Sequence, residues 1–380
     1  MTYKIPFNKP SLLGNEQKYI EKALENQHLS GDGPFTKRCN EFLEKATGVS
    51  KALLTTSCTH ALEMCAMLFN IREGDEVIVP SFAFVTTANA FVLRGAKPVF
   101  IDIRPDTLNL DERKLDDLIT PRTKAIIALH YAGIACEMEK IMEIAGKHGV
   151  PVVEDNALGL FGKYKGQPLG GIAELATLSF HETKSFTCGE GGALLINDDV
   201  YASRAEILRE KGTNRTQFFE GQVDKYTWVD IGSSYLPADI LAAFLLAQLE
   251  AFSRVLETRK RIWESYTTHL SDWADEKGVK LPFVPPDCEH PYHMFYLLCP
   301  SPEKRTKLIN SLKDRGVQCV FHYLPLHLSL MGHQFGYEKG DFPVTEDVSD
   351  RLVRLPFYYG LSESEQHQAC EALFAASHEW

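Results

Sequence analysis

The residues best placed to do chemistry are a lysine and a carboxylate, each at the end of an apolar run. Ser179-Phe180-His181-Glu182-Thr183-Lys184 leaves a strand-like stretch and runs into Cys188-Gly189-Glu190-Gly191-Gly192. A lysine there lies at the rim of a sheet, where open α/β folds bind ligands, and its ε-amine can form an imine with an aldehyde cofactor. The plain alternative is a solvated lysine in a turn. Upstream, Val152-Val153-Glu154-Asp155 ends in two carboxylates. Such a group pairs with a protonated pyridine nitrogen, keeping a ring ready to accept electrons, or simply caps a helix. A third stretch, Thr55-Thr56-Ser57-Cys58-Thr59, reads as a strand-to-helix junction, where free N–H groups and the helix dipole favour a phosphate. Capping of the helix by Ser57 is the alternative.

The elements that must hold these residues follow from the apolar pattern. Strand-like runs fall at 52–55, 76–79, 98–102, 125–129, 150–154, 177–180 and 193–196. They alternate with helical patterns, the signature of a parallel sheet with crossover helices. Leu62, Cys65, Ala66 and Phe69 form a helical stripe directly after Cys58. Helices are predicted at 85–94 and 137–148, each stopped by a glycine, Gly95 and Gly149. Later the texture changes to long helical patterns at 238–253 and 257–270, then strand-like runs at 293–298 and 318–323 flanking a helix at 303–315. The predicted organisation is a large domain over 1–255, with a mostly parallel sheet, and a smaller α+β domain over 256–380.

With 380 residues, 44% apolar and 24% charged, the chain has the composition of a globular protein with a large core. A net charge of -11 argues against nucleic acid as partner. No apolar run reaches membrane-spanning length and the N-terminus does not read as a signal peptide, so the expectation is a cytoplasmic protein. The nine cysteines have no zinc-site spacing and read mostly as reduced core thiols, with no metal expected.

Taken together, the three stretches resemble in order and spacing the sugar aminotransferases of the DegT/DnrJ/EryC1/StrS family, over nearly the whole chain. Gly31-Asp32-Gly33-Pro34-Phe35-Thr36, Pro80-Ser81-Phe82-Ala83-Phe84, His130-Tyr131-Ala132-Gly133 and Leu355-Pro356 extend the likeness. The resemblance implies the pyridoxal-phosphate aminotransferase fold of the aspartate aminotransferase type. It implies pyridoxal 5′-phosphate bound by Lys184, with Asp155 at the ring nitrogen and Phe84 stacked on the ring; by its type alone, Phe84 reads as core. Ser57, Cys58 and Ser179 would hold the phosphate. A homodimer with shared sites is implied too, Ser234 standing where the family carries an asparagine that reaches the partner's phosphate. Leu158 replaces a Gln or His that the family tends to place beside the phenolic oxygen, and it cannot hydrogen-bond.

The stretches 179–184, 209–215, 222–228 and 230–235 look specific to a subgroup that aminates C4 of a dTDP-4-keto-6-deoxyhexose, with glutamate as donor, for a surface polysaccharide. Lys211, Asn214, Arg215, His322, Tyr323 and His327 are candidates for the sugar-nucleotide pocket, or else solvated and structural groups. A dehydratase of the same fold would carry histidine in place of Lys184. A nicotinamide oxidoreductase would need its glycines between a strand and a helix, a context the 189–192 cluster lacks. A non-catalytic sugar-nucleotide binder is the remaining rival.

Overall fold

The computed structural model describes residues 3–378. Its centre is a seven-stranded sheet of β1 (Lys51–Thr55), β2 (Glu76–Pro80), β3 (Lys97–Ile101), β4 (Thr123–Leu129), β5 (Val152–Asp155), β6 (Leu175–Ser179) and β7 (Gly192–Ile196). The order across the sheet is β1-β7-β6-β5-β4-β2-β3. All seven strands lie within a few residues of the sequence prediction, but the sheet is not wholly parallel, because β7 runs against both neighbours. The cause is the connection: a parallel return needs a crossover, usually a helix, and the segment from Phe180 to Gly191 contains none.

Both faces of the sheet are covered, and strand alternation decides which side chain meets which cover. Leu53, Val77, Val79, Ile127, Val153, Leu175 and Leu194 point to one face, under the helices Cys58–Leu68, Val85–Val92 and Ala202–Arg209. Ile78, Ile126, Ala128 and Val152 point to the other face, beside Leu54, Leu178 and Leu195. Three helices, Glu16–Glu25, Pro34–Thr47 and Asp239–Glu250, pack there. The first two of these helices were not predicted. The second starts with Pro34 in its first turn and ends at Gly48 in the left-handed conformation, the usual proline-to-glycine asymmetry of a helix.

A second core gathers the helices Phe252–Lys277, Pro302–Asp314 and Glu363–Ser377 around Phe295, Leu297, Val353 and Leu355. Here β8 (Tyr296–Leu298) and β9 (Leu352–Arg354) form an antiparallel pair. The predicted boundary at 255/256 falls inside the helix Phe252–Lys277, which is continuous because no glycine or proline interrupts it. Ile5 joins this second core through a bridge to Val317, so the N-terminal segment packs with the C-terminal part. The run 318–323 is not a strand but a loop bridged once to β9, Val320 to Arg354. Among the described residues no helix is long and apolar enough to cross a membrane, and all nine cysteines are free thiols.

Alternation also separates the two adjacent carboxylates of β5. Glu154, fully buried, accepts backbone N–H groups of Gly170, Ile172 and Ala173 at 2.8–2.9 Å and faces His130 Nε2 at 2.9 Å. His130 Nδ1 accepts from the Cys136 N–H, so the proton sits on Nε2 and the ring donates to Glu154. Burial pushes the Glu154 carboxyl up, yet His130 and the backbone donors outweigh it and leave the group below its ordinary value. A depressed carboxyl contributes stability that is present above the unfolded-state value and lost as pH falls through the folded one. Glu154→Gln is expected to cost about 3 kcal/mol, as breaking a buried pair does, and to flatten the acid limb of a denaturation curve measured against pH.

Candidate active site

The site forms at the C-terminal ends of the parallel strands, the place where open α/β sheets take ligands. On the face covered by the helices Cys58–Leu68 and Val85–Val92, alternation presents Thr55, Asp155, Thr177 and Ser179. The register then sets them side by side: Asp155 pairs with Thr177, while Gly192 pairs with both Ser179 and Thr55. Lys184 lies in the turn that follows β6, held by its N–H on the His181 carbonyl at 2.9 Å. Glu182 N–H reaches Gly189 O and Phe180 N–H reaches Gly191 O, so the glycine cluster closes the loop that carries the lysine.

Asp155 is 3% exposed. Its Oδ2 accepts from Thr87 Oγ1 at 2.7 Å and its Oδ1 from the Ala157 N–H at 3.3 Å. Burial pushes this carboxyl up from its ordinary value, opposed by those donors and by the charge of Lys184. Lys184 is half-buried, and burial lowers its ammonium, against the opposing pull of Cys58 and Asp155. Its amine has no hydrogen-bond partner among the described residues. A desolvated amine that loses its proton readily is the form that attacks carbonyl carbon.

The Ser57–Cys58 corner is built for an anion. Ser57 caps the helix by accepting from the His60 N–H at 3.1 Å, and the N–H groups of Cys58 and Thr59 have no acceptor among the described residues. Gly192 makes the corner possible: a Cβ there would lie 2.3 Å from Cys58 N and 2.3 Å from Ser57 C. Ser179 is cross-strand to that glycine. Cys58 itself is not a reactive thiol, since burial pushes it up to about 12. A phosphate fits this corner, where open helix-terminal donors meet a wall that no side chain fills. Gly192→Ala is expected to displace the corner, costing about 1–3 kcal/mol of stability by overpacking and weakening phosphate-bearing ligands; calorimetric titration with the cofactor checks this.

Phe84 is not core: it is 55% exposed at the start of the helix Val85–Val92, with its ring 6.5 Å from that of Tyr323. Tyr323, at φ 43° in the strained left-handed region, packs its ring against Phe82 and Tyr131. His322 Nδ1 lies 2.8 Å from Tyr131 Oη, joining the 318–323 loop to the segment after β4. His327 goes elsewhere. It is fully buried, with Nδ1 2.6 Å from Ser81 Oγ and Nε2 3.1 Å from Glu346, so neither ring nitrogen is left for a ligand.

Lys211 and Arg215 both bind Glu210 Oε1, at 3.1 and 3.0 Å, and Asn214 Oδ1 accepts from the Thr227 N–H at 2.7 Å. These three therefore brace the 210–235 segment. That segment rests on the phosphate corner, because Thr56 N–H donates to Tyr235 O. Ser234 is exposed and its backbone bridges Glu210. Leu158, 6% exposed, belongs to the hydrophobic core. Sequence reasoning missed Thr87, which fixes Asp155. Thr87 had a signal in its place three residues after Phe84, one turn into the helix.

The sequence profile of the DegT/DnrJ/EryC1/StrS aminotransferase family matches residues 10–374. An uncharacterized protein, MJ1066, of Methanocaldococcus jannaschii is 34% identical, over 95% of this chain and 94% of its own length. GDP-perosamine synthase of Caulobacter vibrioides is 32% identical, over 97% of each. Among solved structures, the putative sugar aminotransferase Spr1654 of Streptococcus pneumoniae in its PMP-form superposes with a TM-score of 0.92 at 27% identity, covering 99% of this chain and 100% of that one. The fold is that of the pyridoxal-phosphate-dependent aminotransferases.

Proposed function

Since this chain belongs to the DegT/DnrJ/EryC1/StrS aminotransferase family, we propose that it is a pyridoxal-phosphate enzyme moving an amino group from glutamate to C4 of a dTDP-4-keto-6-deoxyhexose. The observation that carries the reading is the presence of an unpartnered, desolvated amine, Lys184, and a buried carboxylate, Asp155, at the ends of neighbouring strands beside an open phosphate corner.

Pyridoxal phosphate supplies an aldehyde that takes up amines and a ring that accepts electrons from the adjoining carbon. Ser57, Ser179 and the N–H groups of Cys58 and Thr59 would hold its phosphate. Asp155, fixed by Thr87 and the Ala157 N–H, would keep a proton on the ring nitrogen. Phe84, exposed at the start of the helix Val85–Val92, would stack on the ring. Lys184 Nζ would form the covalent link to the cofactor and, when freed from it, would be the base that takes the proton from the donor α-carbon and delivers one to C4 of the sugar. In a homodimer the exposed Ser234 of a second copy would face the same phosphate.

The proposed product is dTDP-4-amino-4,6-dideoxygalactose, made for a surface polysaccharide of the enterobacterial common antigen type. Support for the subgroup comes from the stretches 209–215, 222–228 and 230–235, which form the segment over the phosphate corner. The likeness to a GDP-perosamine synthase favours a second reading, a GDP-linked sugar. Incubating the protein with glutamate and either dTDP-4-keto-6-deoxyglucose or its GDP-linked counterpart, then identifying amino-sugar by mass and by proton NMR of C4, separates the two. Amination of the GDP sugar alone, or a gluco product, sinks the first reading.

A further inference from the structure

The Lys184 amine has no hydrogen-bond partner among the described residues, so the backbone beneath it must aim the side chain. The turn from Phe180 to Gly191 is closed by its own backbone, and Phe186 anchors it in the core of the sheet, edge-on to Phe161 at 5.1 Å. Two further hydrogen bonds reach the turn from outside, one on each side of the lysine. Before Lys184, Glu182 O accepts from Asn8 Nδ2 at 3.2 Å; after it, Ser185 Oγ lies 3.2 Å from His293 Nδ1. Asn8, Lys184 and Ser185 line one small cavity, and Arg259 lines it with them.

Both contacts trace back to that buried arginine. Arg259, 4% exposed on the helix Phe252–Lys277, donates from Nε to Tyr292 O at 2.9 Å and from Nη2 to His293 O. Tyr292 stands at φ 53°, in the left-handed region that a tyrosine rarely adopts. Arg259 therefore holds a strained bend whose next side chain is His293. The same guanidinium lies 4.7 Å from the centre of the Phe357 ring, and Phe357 N–H donates to Phe7 O at 3.1 Å, one residue from Asn8. No carboxylate pairs with Arg259 among the described residues, and burial lowers its pKa to about 9. A buried cation without a counter-ion and a strained bend are both destabilising. What they secure is the direction of two side chains that meet the lysine turn.

We propose that His293 and Asn8 are positioning residues for Lys184, a clamp by which the second core fixes the turn on both sides of the lysine. The proposal rests on the reading of Lys184 above and deepens it. Burial, and after it the charges of Lys184, Arg259 and Arg354, hold His293 well below its ordinary value. The ring is therefore uncharged and meets Ser185 as a hydrogen-bonding group. A covalent link between an amine and an aldehyde carbon needs the two atoms aligned, and a misplacement of about 1 Å costs on the order of 100-fold in rate. With nothing gripping the end of the lysine side chain, Ser185 and Glu182 are where that alignment is set.

The test compares the holoenzyme with its His293→Ala, Ser185→Ala and Asn8→Ala variants by the visible band of lysine-bound cofactor, the rate of cofactor release on dilution, and kcat beside KM. Expected in His293→Ala are a displaced band, release faster by about 10-fold and kcat lower by about 10- to 100-fold, between a lost hydrogen bond and a misplaced amine. Both KM values stay put. Ser185→Ala deletes the same bond from the other side and should match it, and the double variant should be no worse than either single one. Asn8→Ala should show the same signature at about 3- to 10-fold. His293→Asn, which returns a polar group near the place of Nδ1, should recover part of the loss. The parent's band and release rate in all three variants overturn the proposal, as does a lower thermal midpoint with kcat per bound cofactor intact. An effect of His293→Ala that persists in full in the Ser185→Ala background overturns it too, since His293 would then touch a ligand itself. Should His293→Ala fail to fold, Ser185→Ala carries the decision. A parent protein with no lysine-bound band defeats the cofactor reading, whereas a parent band that no variant moves defeats the clamp alone.

Discussion

Lys184→Ala is expected to remove the visible absorption band of lysine-bound cofactor and to lower turnover by at least about 1,000-fold, the scale of losing a positioned acid–base group. Lys184→Arg is expected to do the same, although it keeps the charge, because a guanidinium does not form the covalent link. Stability should respond in the opposite direction. Burial already penalises the Lys184 ammonium, and its amine has no hydrogen bond to lose among the described residues, so alanine removes a cost rather than a contact. A thermal midpoint equal to or above that of the parent is therefore predicted for Lys184→Ala without cofactor. Visible spectra and thermal melts on the same samples check both halves; a persistent band with undiminished turnover sinks the assignment of Lys184.

That lysine was legible in the sequence because its surroundings are local. The turn from Phe180 to Gly191 is closed by its own backbone, so an apolar run, a lysine and a glycine cluster in sequence describe it fully. The seven strands were legible for a similar reason: the sheet is covered on both faces, so most of its strands carry few polar residues. The reversal of β7 was not, since direction depends on the absence of a crossover rather than on strand composition. The place of His293 against Ser185 was invisible because it depends on Arg259 holding the His293 carbonyl, a contact across the fold that leaves no periodic trace. His322 and His327 carry the same residue type five positions apart and have different surroundings. One edges the Tyr131–Tyr323 cluster and the other is a strut between Ser81 and Glu346, a distinction made by backbone path alone.

Asp155→Asn carries the second large effect. The amide keeps the volume but cannot hold a proton on a pyridine nitrogen by charge, and turnover should drop about 100- to 1,000-fold, as when one preorganised electrostatic group is removed. Thr87→Val should act through Asp155 alone, at about 1–2 kcal/mol for a lost buried hydrogen bond, and its effect should vanish in the Asp155→Asn background. The pH dependence gives a signature that mere misfolding does not. Burial raises Asp155 above its ordinary value, so without cofactor the folded state holds a proton that the unfolded state has released. Stability then falls as pH rises from the ordinary carboxylate value through the folded one, and below both values the penalty is gone. A cationic ring nitrogen offsets that penalty, so the stabilisation conferred by cofactor should widen as pH rises through this window. Thermal midpoints with and without pyridoxal phosphate from about pH 4 to 7, around the carboxylate range, measure it. In Asp155→Asn, where nothing titrates at that place, the widening should disappear; a difference curve of the same shape in both proteins would remove Asp155 from the ring nitrogen.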